Sequence, residues 1–122
     1  MGIEPTKSTA EVSRKKGIET LEDFFGIELG LKLSQTRKAD LIIGNNVYAH
    51  VPDINDFTGG IKKLLSDRGT VTLEFPHLLE LIKHNQFDTI YHEHYSYLSL
   101  YSVSKIFKNS DLKIYKVDRL ST

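Results

Sequence analysis

The chain has 122 residues, 39% of them hydrophobic, with 16 basic and 16 acidic side chains and no cysteine, which suits one domain with a modest core. Balanced charge gives no electrostatic reason for a nucleic-acid or anionic-membrane partner, and no apolar run nears the roughly 18 residues that span a bilayer. Without cysteine there is no disulfide framework and no thiolate zinc site, in keeping with a reducing, cytoplasmic setting.

Gly2-Ile3-Glu4-Pro5 reads as the tail of a strand whose start is missing. Residues 6–16 are polar and suit a helix, and Ile18 marks a brief strand. Leu21, Phe25, Leu29 and Leu33, with Phe24, Ile27 and Leu31, share a broad face and predict a helix over 21–33. Within it Gly26 and Gly30 suit close packing between helices. Residues 39–44 contain Asp40 as their only charge, and Leu41, Ile42 and Ile43 read as a buried strand of the kind found in parallel sheets, ended by Asn45 and Asn46.

Pro52 and Asp53 open a helix, with Asp53 as N-cap, a stripe of Ile54, Phe57, Ile61, Leu64 and Leu65, and Gly69 as its stop. Val71, Leu73 and Phe75 alternate with Thr70, Thr72 and Glu74, predicting a strand closed by Pro76. Residues 77–84 form a short charged helix on which His77 and His84 read as surface residues. Residues 102–109 form another, with Val103, Ile106 and Phe107 inward, and 112–117 a last strand. Strands alternating with helices predict an α/β sheet with helices on its faces. Ligands of such sheets sit beyond the carboxyl ends of the strands, which singles out Glu4, Asn45, Asn46, His50 and Glu74.

The stretch 91–102, YHEHYSYLSLYS, places two of the five histidines around Glu93. Taken alone it has three readings: an exposed polar loop, a metal site through His92 and His94, or a place where protons move. The His-x-His spacing differs from a helical i, i+4 ligand pair, and no cysteine assists it.

Several segments follow one another in order: Glu4-Pro5 after a strand, Ala39-Asp40-Leu41-Ile42-Ile43 running into Asn45-Asn46-Val47-Tyr48-Ala49-His50-Val51-Pro52-Asp53, the stretch 69–76, then Tyr91-His92-Glu93-His94 and Tyr97-Leu98-Ser99. Over nearly the whole chain they resemble the S-adenosylmethionine-dependent C-methyltransferases that act on nucleotide-linked deoxy-keto-sugars. The resemblance implies a partial class I methyltransferase fold: a Rossmann-like α/β sheet with helices on both faces, lacking the first strand with its Gly-rich turn and the final strand. Residues 1–122 are then a middle piece of the methyltransferase domain, without the family's zinc-binding domain before it and further domain after it. The implied cofactor is S-adenosylmethionine and the implied partner a nucleotide-linked sugar.

Methylating carbon requires a carbanion, reached by taking a proton from carbon beside a ketone. That chemistry needs a base near the C–H and a hydrogen-bond donor near the enolate oxygen. Histidine, with a reference pKa of about 6.5, is a ready base near neutral pH. The resemblance assigns this role to His94 and lines the same pocket with Tyr91, Glu93 and His50, leaving His92 aside. Glu4, after its strand, suits the ribose hydroxyls of the cofactor. Asn45 and Asn46 suit its amino-acid end, and Glu22, Asp23 and Phe24 lie where adenine is expected. In an extended segment Tyr91 and Glu93 point one way and His92 and His94 the other. Joint use of Tyr91 and His94 therefore requires a turn.

Two alternatives stay open. A methyltransferase acting on oxygen or nitrogen needs no such base. A truncated, non-catalytic α/β module has unpaired strand edges and self-associates through them.

Overall fold

The computed structural model describes residues 1–120. The chain opens with β1 (Gly2–Ile3), α1 (Lys7–Lys15), β2 (Thr20–Leu21) and α2 (Ile27–Ser34). It continues through β3 (Ala39–Asn45), a 3-10 turn (Tyr48–His50), α3 (Ile54–Leu64) and β4 (Leu65–Glu74). It closes with α4 (Leu78–Lys83), a second 3-10 turn (Phe87–Thr89) and α5 (Leu100–Asn109). This is the mixed α/β class that strand–helix alternation predicts.

The strands form two separate two-stranded parallel sheets, β1 with β2 and β3 with β4, in place of the single sheet expected. Glu19 and Leu21 accept ladder bonds from Gly2 and Glu4 at 2.7 and 2.9 Å. Those bonds claim the start of the expected 21–33 helix and move the brief strand from Ile18 to Thr20–Leu21. α2 therefore begins at Ile27, whose N–H is capped across space by Asp56 Oδ1 at 3.2 Å.

α3 starts as expected: Asp53 Oδ1 accepts from the N–H groups of Asn55 and Asp56 at 3.0 and 2.9 Å. It ends at Leu64, not at Gly69, because β4 begins at the next residue. Gly69 lies instead in an irregular stretch of β4, where Leu65 pairs with Ala39 but Thr70 already pairs with Leu41. A Cβ at Gly69 would sit 2.8 Å from the Ala39 carbonyl, so the ladder itself requires glycine there. Gly30 of α2 meets α3 in the same way: a Cβ would stand 2.5 Å from the Gly60 carbonyl, and the two helices touch backbone to backbone.

The core is built on Tyr48, Leu98, Val103 and Phe107, with Phe57, Leu73 and Phe75 packed around them. Thr58 Oγ1 donates to the Ile54 carbonyl at 2.6 Å and so accepts the Tyr48 hydroxyl proton at 2.7 Å. Ser99 caps α5 in a reciprocal bond with Ser102. The expected strand over 112–117 does not form. Leu112 and Ile114 lie against the core and Tyr115 reaches Thr70 at 3.2 Å, but no ladder joins this segment to β4 among the described residues. Its alternation comes from one side facing the core, which needs no strand partner. No helix among the described residues is long and apolar enough to cross a membrane.

Candidate active site

β3 delivers the chain to Asn45 and Asn46. Asn45 pairs in register with Glu74, and Asn46 turns through a left-handed conformation (φ 52°) while donating its N–H to the Glu74 carbonyl at 3.0 Å. Asparagine tolerates that conformation better than most residues. The 3-10 turn follows at once. Its buried Tyr48 and Ala49 fix it to the core, and His50 stands at its half-buried end.

The second half of the site comes from residues 87–97. Thr89 ends the second 3-10 turn with its hydroxyl donating to the Gln86 carbonyl at 2.8 Å. The chain then turns tightly, with the His94 N–H donating to the Tyr91 carbonyl at 3.1 Å. This is the turn that joint use of Tyr91 and His94 requires, and it puts both rings on one side. A bond of 3.2 Å from the Ser96 N–H to the Ala49 carbonyl ties this segment to the first.

Proton positions follow from the partners. A carbonyl only accepts, so His94 Nδ1, 2.8 Å from the Thr89 oxygen, carries the ring proton. Neutral His94 then has its lone pair on Nε2, and the Tyr91 hydroxyl donates to it at 3.2 Å. His50 is arranged alike, with Nδ1 donating to the Glu93 carbonyl at 3.0 Å. The ring centres of His50 and His94 are 4.5 Å apart, those of Tyr91 and His94 4.3 Å, and Tyr97 presents its ring at 81° to His94 from 6.0 Å.

Thus His50, Tyr91 and His94 converge, and Glu93 joins them through its backbone carbonyl while its side chain is exposed. His92 is exposed and outside the cluster. Among the described residues no group of three or more His, Asp or Glu side chains is arranged to hold a metal ion. Asn45 and Asn46 belong to the same connection as His50. Glu4 lies in the other sheet, directly after β1, with Oε1 accepting from the Thr6 N–H at 2.8 Å; no hydrogen bond joins it to the histidine cluster among the described residues. Glu22, Asp23 and Phe24 form an exposed loop after β2, where Glu22 meets Arg14 at 3.6 Å.

Three contributors are not among the expected site residues. Thr89 acts through its carbonyl, a group every residue has. Tyr97 both faces His94 and lines an apolar hollow of about 260 Å³ with Leu78, Leu81, Ile82, Phe87 and Ile90. His77, read as a surface residue, closes the segment: its Nδ1 lies 3.2 Å from the Leu79 N–H and its Nε2 3.0 Å from the Leu100 N–H. A neutral imidazole accepts at one nitrogen only, so one ring serves the starts of α4 and α5 by turns. The Leu78 N–H, donating to the Leu98 carbonyl at 2.8 Å, closes the same gap.

Residues 4–117 match the Methyltransferase domain family. The C-methyltransferase NovU of Streptomyces niveus is 38% identical over 118 residues, an alignment covering 96% of this chain and 28% of NovU. The chain thus spans under a third of the length of that curated relative.

Proposed function

The chain belongs to the Methyltransferase domain family, and from that premise we propose that its protein transfers a methyl group from S-adenosylmethionine to carbon beside the ketone of a nucleotide-linked deoxy-keto-sugar. In this proposal residues 1–122 are one section of the methyltransferase domain, and the enzyme works in the cytoplasm. The observation that carries it is the state of His94: with Nδ1–H held by the Thr89 carbonyl, Nε2 keeps a lone pair beside the Tyr91 phenol and the His50 ring. A base, a donor and a second imidazole are what enolate formation asks for. Support for carbon as the acceptor comes from the name of the 38% identical relative. Support for the sugar comes from the Asn45-to-Asp53 and Tyr91-to-His94 motifs.

When bound, S-adenosylmethionine supplies an electrophilic methyl group. The residues beyond the strand ends fit such a group. The Glu4 carboxylate, one oxygen of which accepts from the Thr6 N–H, would take the ribose hydroxyls, and Asn45 and Asn46 would offer amides to an amino-acid moiety. His94 Nε2 takes the proton from carbon while Nδ1–H stays on Thr89. Tyr91 turns its hydroxyl from Nε2 to the substrate oxygen as that nitrogen becomes occupied. His50 and Glu93 line the pocket, His50 with its own Nε2 lone pair facing outward from the Glu93 carbonyl bond.

In the full-length protein, His94→Asn should abolish methyl transfer while leaving S-adenosylmethionine binding within a few-fold, read by calorimetry. Unchanged turnover refutes the base assignment. A methyl group found on oxygen or nitrogen in the product selects a heteroatom methyltransferase instead.

A second reading, a non-catalytic module that self-associates, is favoured by one observation. Among the described residues β3 pairs with β4 alone, and its Leu41 and Ile43 are 56% and 64% exposed, although parallel sheets are ordinarily covered on both faces. Sedimentation of the 122-residue chain with and without Leu41→Lys tests it. Association that the lysine abolishes, together with no S-adenosylmethionine binding, supports the module; a monomer that binds the cofactor excludes it.

A further inference from the structure

We propose that Thr89 is a positioning residue for His94: its side chain locks the 3-10 turn that aims its own carbonyl at Nδ1, and this selects the tautomer in which Nε2 is the base. The proposal rests on the reading of His94 as the base.

An imidazole has two neutral forms, and the hydrogen bond at one nitrogen decides which is populated. At His94 the deciding bond is the 2.8 Å contact with the Thr89 oxygen. In the other tautomer Nδ1 would turn a lone pair toward that oxygen, and two acceptors would face each other. Nε2 would then carry a proton and could not accept one from carbon. The position of one carbonyl therefore separates an active ring from an inactive one.

That carbonyl is not placed by a sheet or a long helix. It ends the three-residue turn Phe87–Thr89. The turn is entered through Asn85, in a left-handed conformation (φ 50°), and is held by the Ile90 N–H donating to the Phe87 carbonyl at 3.0 Å. The Thr89 hydroxyl adds the bond to Gln86 at 2.8 Å, joining the two ends of the turn. So short an element has few internal bonds, and the loss of one shifts the orientation of its last peptide. A carboxylate in the same place would also hold Nδ1–H, but would add a fixed negative charge beside the imidazolium. Thr89 orients the ring without that charge.

The test uses the full-length protein labelled with ¹⁵N-histidine and compares Thr89→Val with Thr89→Ser. Ring nitrogen signals report the tautomer of His94, and deuterium uptake at the substrate carbon beside the ketone reports proton abstraction. The wild type should show Nδ1–H. Thr89→Val, matched in shape, should show mixed tautomers and deuterium uptake slowed about tenfold at saturating substrate, the effect of losing one orienting hydrogen bond. Thr89→Ser, which keeps the hydroxyl, should restore both. Nδ1–H retained in Thr89→Val at full rate overturns the proposal, as does a changed tautomer with no change in rate. Should Thr89→Val fail to fold, Thr89→Ala carries the same comparison, and unfolding of both overturns it by showing that the residue serves the fold and not the ring. If His94→Asn leaves deuterium uptake intact, the base assignment fails, while the NMR comparison still judges whether Thr89 sets the tautomer.

Discussion

The Tyr91 hydroxyl donates, across 3.2 Å, to the His94 ring nitrogen that carries the lone pair. In the proposed reaction the phenol occupies that lone pair until substrate enters, and its hydroxyl then donates to the developing oxyanion. Tyr91→Phe removes both duties. Methyl transfer should fall by about 10²-fold if the phenol stabilises the enolate, and deuterium uptake at the acidic carbon, which passes through the same enolate, should fall with it. Methyl transfer equal to wild type in Tyr91→Phe leaves the phenol with no part in the reaction.

His50 meets the site in two ways, through its Nδ1 bond to the Glu93 carbonyl and through the 4.5 Å approach of its ring to His94. His50→Phe retains the ring and deletes the bond. The expected result is looser attachment of the 91–94 turn, read as faster amide exchange there, and turnover reduced by about one order of magnitude. Wild-type exchange and turnover would show that the bond contributes nothing.

Contact between α2 and α3 at Gly30 and Gly60 leaves no room for a methyl group. Gly30→Ala should destabilise the chain by about 1–3 kcal/mol, because a Cβ driven against a carbonyl forces the helices apart. Urea titration reads this as a lower midpoint, and an unchanged midpoint would mean that the helices slide freely.

Burial pushes the Tyr48 phenol above its ordinary pKa. A folded pKa above the unfolded one makes this contribution complete below about pH 10 and loses it as pH rises through the folded value. Tyr48→Phe should therefore cost about 1 kcal/mol at neutral pH, for the lost hydrogen bond, and flatten the alkaline fall in stability above about pH 10. Parallel pH–stability curves for the two proteins would deny Tyr48 that role.

Side-chain pattern made much of this legible. Asp53 sits ahead of an apolar stripe and caps α3. The apolar run through Leu41 and Ile43 forms β3, although both side chains are exposed where the run had suggested a buried strand, and joint use of Tyr91 and His94 called for a turn of the kind found at 91–94. What escaped depends on backbone partners. Leu21 looked helical until β1 claimed its carbonyl. Gly69 looked like a helix stop because a glycine in a strand irregularity and a glycine after a helix read alike. Leu112 and Ile114 alternate as a strand would, yet what they meet is the core and not a ladder. Thr89 gave no signal, since it meets His94 through a carbonyl and its hydroxyl bonds only to the backbone of its own turn.

α3 runs into β4 with no residue between them, and the slack of that crossover is gathered in the irregular stretch before Thr70, where Asp67 and Arg68 are exposed. Extra residues at Asp67–Arg68 can bulge outward, whereas one added at Leu64–Leu65 would rotate every side chain of the strand to the opposite face. This position thus offers a place to insert an epitope or fluorescent reporter, at exposed residues outside the 48–50 and 87–97 segments that carry His50 and His94.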